Sequence, residues 1–155
     1  MTRAIPILLF VCVSCGGRQS GVTAASKRCT QLTTDLDTVQ TSKLNVDLKA
    51  NLQGSDEQIG GVAGDLGWNR ETATRVKTGM DAFSSDHARI RTALCDDIEF
   101  KRITMDDFSR RAECLDSWLQ RMRTAVQAAV QPGASGEQVL QMFVEATQAP
   151  ACQGE

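Results

Sequence analysis

The chain has no tyrosine, a single histidine, and no long apolar run after residue 13. With no tyrosine, two tryptophans and five phenylalanines, it is suited to a modest aliphatic core rather than an aromatic binding platform. One histidine, and cysteines that form no C-x-x-C pair outside the first fifteen residues, leave little for a zinc site. Nothing after residue 13 approaches the roughly 20 apolar residues a membrane-crossing helix needs. The charges, 17 basic against 19 acidic, give a net −2 with no long basic cluster, which argues against nucleic acid or anionic lipid headgroups as partners. The glycines between Gly54 and Gly67 lack both the Gly-Lys-Ser/Thr ending of a phosphate loop and the βαβ setting of a dinucleotide site. They read as a mobile linker.

What is present begins at the N-terminus. Arg3 supplies a positive charge, and Ala4 to Val13 is an apolar run of signal-peptide length. Ser14 is followed by Cys15 and then Gly16-Gly17. Val13-Ser14-Cys15-Gly16 resembles the lipobox of bacterial lipoproteins, where the peptide is cut before a cysteine that carries a diacylglyceryl group. Cys12 stands where that family usually has leucine, and bulky Val11 makes Cys12 the poorer acceptor. The resemblance implies residues 1–14 as signal peptide, Cys15 as the lipidated first residue, residues 15–27 as a flexible tether, and 28–155 as a helical domain. Gly16, in place of Asp, implies onward transport to the outer membrane of the bacterial cell envelope. Two or three acyl chains would anchor the protein stably, where one binds only marginally.

Four cysteines then remain for the body: Cys29, Cys95, Cys114 and Cys152. An even number in an exported chain reads as two disulfides, with three possible pairings.

Along the body, Leu32, Leu36 and Val39 recur at helical spacing after Cys29. Leu44, Val46, Leu48, Ala50 and Leu52 alternate as a half-buried strand would, yet Leu44, Leu48 and Leu52 also share one face of a helix. Both patterns fit, and the helical one agrees with the rest of the chain. Between Asn69 and Lys101 the stripe Val76, Met80, Phe83, His87, Ile90, Leu94 and Ile98 marks a long amphipathic helix. Thr104 is a candidate cap for a second, carrying Phe108, Ala112, Leu115, Leu119, Met122, Val126 and Ala129. Joined by a short turn, the two form an antiparallel hairpin. Pro132-Gly133 ends the second helix, and Ser135 with Gln138 opens a last one bearing Val139, Leu140, Phe143 and Val144. The expected fold is therefore all-α: a small disulfide-linked antiparallel bundle around a long central hairpin.

This layout orders the disulfides. Folding back between Pro132 and Ser135 sets Cys152 opposite about residue 115, so Cys114 is its natural partner and Cys29 is left for Cys95. Pairing Cys95 with Cys114 across the earlier turn would instead leave an axial mismatch of roughly 5 Å.

The order Cys29-Thr30, Cys95, Arg111-Ala-Glu-Cys114-Leu115 and Pro150-Ala-Cys152 resembles an extracytoplasmic helical segment of large myxobacterial serine/threonine kinases. The chain departs from it in lacking a kinase domain, a tetratricopeptide pattern and a tryptophan upstream of the mid-chain cysteine. The resemblance implies a helical module of unknown ligand and carries over no catalytic residue.

His87 sits on the apolar stripe, where a buried structural role is expected and pH sensing is the alternative. Its neighbour Asp86 points about 100° away and cannot orient it as a catalytic carboxylate would. Asp106 and Asp107 complement a helix N-terminus, and Asp96 to Asp107 lacks the ligand alternation and central glycine of a calcium loop. Trp118, beside the core stripe, reads as a boundary residue or part of a contact surface. No cofactor or metal is expected. The function this supports is a lipid-anchored, non-enzymatic interaction or structural module docking an envelope protein. The alternative is an anchored small-ligand binder or an inhibitor of an envelope enzyme.

Overall fold

The computed structural model describes residues 19–54, 59–150 and 152. They form six helices: α1 (Gln19–Gln40), α2 (Lys43–Gln53), α3 (Gly61–Asp65), α4 (Arg70–Glu99), α5 (Met105–Ala129) and α6 (Gly136–Thr147). Among the described residues there is no strand, so the all-α, disulfide-linked bundle inferred above is the fold. The signal-peptide assignment lies outside the described residues.

Helices α2, α4, α5 and α6 each start where a side chain can satisfy an otherwise unpaired backbone N–H. Asn69 Oδ1 accepts from the Thr72 N–H at 2.8 Å to open α4, and Thr104 Oγ1 accepts from the Asp107 N–H at 3.1 Å to open α5. Ser42 and Ser135 do the same for α2 and α6. The α4–α5 turn depends on Lys101, the single non-glycine residue at positive φ (56°) among those described.

Helix α1 begins ten residues before Cys29, so residues 19–27, expected to be tether, are helical. Ala25 is buried against the core, which anchors this extension. The hydroxyls of Thr30, Thr33 and Thr34 donate to carbonyls four residues back, keeping polar side chains satisfied on the helix surface. Residues 43–53 settle the strand-or-helix ambiguity as helix. Leu44 and Leu48 are fully buried while Val46 is 56% exposed, as opposite faces of a helix require and a strand's single apolar face does not.

The glycine-rich stretch holds α3, not simply a linker. Helix α2 reaches across to fix it: Asp47 Oδ2 accepts from the Val62 N–H at 3.4 Å, and Asn51 Oδ1 from the Gly60 N–H at 3.2 Å. Arg70 donates to the carbonyls of Leu52 and Gly54. Val62, Ala63 and Trp68 are then buried in the same core as the long helices. Trp68 Nε1 donates to the Gly136 carbonyl at 3.0 Å, tying this segment to the first turn of α6.

The hairpin is the centre of the bundle. Helix α6 folds back along α5, and the Cys114–Cys152 disulfide (Cα–Cα 5.6 Å) closes that end. Helix α1 covers the other side, joined to α4 through Cys29–Cys95 (Cα–Cα 6.1 Å). Both pairings agree with those inferred from sequence. The linked residues lie 66 and 38 positions apart, and loops of that size contribute about 2–4 kcal/mol each.

Gly136 tests how closely the parts fit. A Cβ there would stand 2.1 Å from the Leu66 carbonyl oxygen and 3.0 Å from Trp68 Nε1. Gly136→Ala should therefore cost about 1–3 kcal/mol in urea unfolding, because backbone and a buried indole must both shift. A neutral result would show that the α3 segment does not pack on α6.

Candidate functional site

The sequence places its one histidine on the core stripe, and the fold seals it there. His87 is 0% exposed, packed between Phe83 of its own helix and Trp118 of α5. The ring centroids of Phe83 and Trp118 are 4.8 Å apart in an edge-on arrangement, an attractive geometry for two aromatic quadrupoles. Trp118 is itself 0% exposed, which corrects its assignment to the boundary or to a contact surface. Helix α6 covers it. Its Nε1 donates to the Ala146 carbonyl at 2.8 Å, one of the last carbonyls of α6 that the helix itself cannot satisfy.

Neither ring nitrogen of His87 makes a hydrogen bond. Burial first, then the positive charge of Arg91 one turn on, lowers its pKa from 6.5 to about 4; the Leu115 carbonyl pulls the other way without reaching hydrogen-bond geometry. The imidazole is thus neutral near pH 7. The pH-sensing alternative expected titration inside the physiological range, and desolvation moves it below.

No nucleophile or carboxylate is hydrogen-bonded to this histidine, so the cluster has the chemistry of a core and lacks that of a catalytic triad. The carboxylates at the hairpin turn are engaged separately. Asp97 pairs with Arg102, and Asp107 pairs with Arg110 while accepting from Thr104, contacts that hold its pKa below the usual carboxylate range. Among the described residues no three His, Cys, Asp or Glu side chains converge as metal ligands. Cys15 lies outside the described residues. Cys29, Cys95, Cys114 and Cys152 are all consumed in disulfides.

The surface depressions are open grooves between helices. One, about 660 Å³, is lined by the end of α1, by α2 and by α4, including Asn45, Val46, Lys49, Lys77 and Asp81. Another, about 540 Å³, follows the α1–α5 seam. That seam carries two ion pairs that no local pattern announces, Arg28 with Asp116 and Arg123 with Asp35. Arg123 also donates to the Asp35 carbonyl and to Thr38 Oγ1, so one guanidinium joins three groups of α1.

No protein-family model, curated protein or solved structure matches the chain.

The buried histidine sets an acid limit on the fold. Its folded pKa lies below its unfolded one, so the neutral ring's contribution is fully present above pH 6.5. It is lost as pH falls from 6.5 towards 4, at about 1.4 kcal/mol per pH unit and roughly 3 kcal/mol in all. Urea unfolding across pH 7 to 4 should show this loss in the parent chain. His87→Leu cannot take up the proton and should show a curve flatter by that amount. Parallel curves would mean that the histidine is protonated equally in the folded and unfolded chains.

Proposed function

We propose that the protein is a lipid-anchored component of the bacterial cell envelope, acylated at Cys15 and held at the outer membrane. Its helical body serves there as a non-enzymatic interaction or structural module. The observation that carries this reading is the opening sequence, a ten-residue apolar run, Ala4 to Val13, followed by Ser14-Cys15-Gly16-Gly17.

Three further features support it. A body closed by two disulfides is suited to an oxidising, extracytoplasmic compartment rather than a reducing cytosol. Among the described residues no helix is long and apolar enough to cross a membrane, and attachment through acyl chains at Cys15 needs none. The resemblance of the cysteine framework to an extracytoplasmic kinase segment points to the same compartment. An interaction module is favoured over a small-ligand binder because the grooves between the helices are shallow and open to solvent rather than enclosing. A small ligand is usually held in a mostly apolar cleft that buries most of its surface.

The test is the intact mass of the chain extracted from membranes of a Gram-negative host, measured for the parent and for Cys15→Ser. The parent should begin at Cys15 and be heavier by two or three acyl chains. Cys15→Ser should keep its leader or leave the membrane fraction. A parent chain that retains Met1 and carries no acyl group would contradict the anchor.

A further inference from the structure

The seam between α1 and α5 fixes where the N-terminal segment leaves the body. Arg28 with Asp116 and Asp35 with Arg123 both join residues 88 positions apart, so the two helices run parallel at a constant offset. At that offset Gln19, the first residue of α1, is level with Asp107 in the first turn of α5. Helix α4 gives the same answer from the other side. Cys29 is bonded to Cys95, while the far ends of α1 and α2 share a groove with Lys77, Asp81 and Ser84, so α1 and α4 are antiparallel. From this disulfide, α1 extends ten residues to Gln19, about 15 Å, and α4 with its turn extends five residues to Phe100, about 7.5 Å, in the same direction. The hairpin tip, residues 100–105, is therefore beside the point where the chain enters α1.

That tip is the most apolar exposed place among the described residues. Phe100 is 64% exposed and Met105 is 38% exposed, with Ile103 half-buried between them. The other exposed large apolar side chains are Val46, Val130 and Val144, each on a different element. Arg102 lies over the Phe100 ring at 5.0 Å and is paired with Asp97, and Lys101 at positive φ turns the chain here. An aromatic ring flanked by long cationic side chains suits a bilayer interface, where apolar bodies sink and charged heads stay in water. Glu99 and Asp106 lie at the same end, so attraction to anionic headgroups is not the source of the contact.

We infer that the hairpin tip is a second membrane contact, with Phe100 and Met105 inserted into the bilayer interface beside the acylated Cys15. This rests on the anchor proposed above. Gln19 is four positions after Cys15, a reach of at most roughly 14 Å, so the anchor could not hold the tip far from the lipid. The contact would orient the body, setting the long axis of the hairpin across the membrane plane with its Pro132 end outermost and free for a partner.

The test uses the full chain purified from membranes and placed in neutral phosphatidylcholine vesicles carrying brominated acyl chains, which quench nearby tryptophan. Trp68 and Trp118 are buried and give the background. Phe100→Trp should lose emission to the bromines well beyond the parent, while Val130→Trp, at the opposite end of α5, should not. Equal quenching at both positions would mean the body lies flat and would overturn the inference. An acylated chain whose Phe100→Trp is no more quenched than the parent would overturn it while leaving the anchor intact. If the chain proves unacylated, the same vesicles are added to it: quenching confined to position 100 would support the contact without the anchor, and its absence would reject both.

Discussion

The register of α1 against the central hairpin is the constraint on which the rest of the structure depends. Helix α1 must reach both α4 and α5, and it is fixed covalently to one through Cys29–Cys95 and by two ion pairs to the other. Sliding it by one turn would break the disulfide, part both ion pairs and move Leu32, Leu36 and Val39 out of the places they fill in the core. Surface ion pairs alone add little, typically below about 1 kcal/mol each. The half-buried Arg123 adds more by specificity than by charge, since its guanidinium meets a carboxylate, a carbonyl and a hydroxyl at once. Buried aliphatic area stabilises the helix, and the disulfide and the pairs select which arrangement is stabilised.

A second lock governs the opposite flank. Helix α6 has only twelve residues, too few to be stable alone in water. It is held by Cys114–Cys152, by the Trp118 indole on its last turn and by the Trp68 indole on its first. The two tryptophans thus do more than fill space. Each turns one end of a short helix towards the core, and Phe143 between them completes the packing against Trp68. His87 lies beneath this arrangement, where its neutrality is a condition of the packing rather than a chemical resource.

Much of the fold was legible in the sequence because it is written in local periodicity. The stripes from Val76 to Ile98 and from Phe108 to Ala129 fixed the hairpin, and Thr104 and Ser135 marked their helix starts through the side chains that cap them. Counting residues back from two turns was enough to pair the cysteines, since rise per residue is constant in helices. What stayed hidden depends on distant partners. The first ten residues of α1 carry little apolar signal, and of residues 24–28 only Ala25 is buried in the core. Helix α3 exists because Asp47 and Asn51, on another helix, satisfy its first N–H groups; its glycines alone describe a linker. Trp118 looked peripheral because the stripe of α5 faces α4, while a second face of α5 is covered by α6. The exposure of Phe100 follows from its place at the tip, where the hairpin ends and no helix passes over it.

The most direct measurement is a disulfide map of the unreduced protein, since register and topology both follow from the pairing. Trypsin separates the four body cysteines into residues 29–43, 92–101, 112–121 and 124–155. Mass spectrometry without reduction should find the first linked to the second and the third to the fourth, each pair separating on reduction. A fragment 92–101 linked to 112–121, or thiols that alkylate freely in the folded chain, would contradict the locked register and with it the placement of the N-terminal segment beside the hairpin tip.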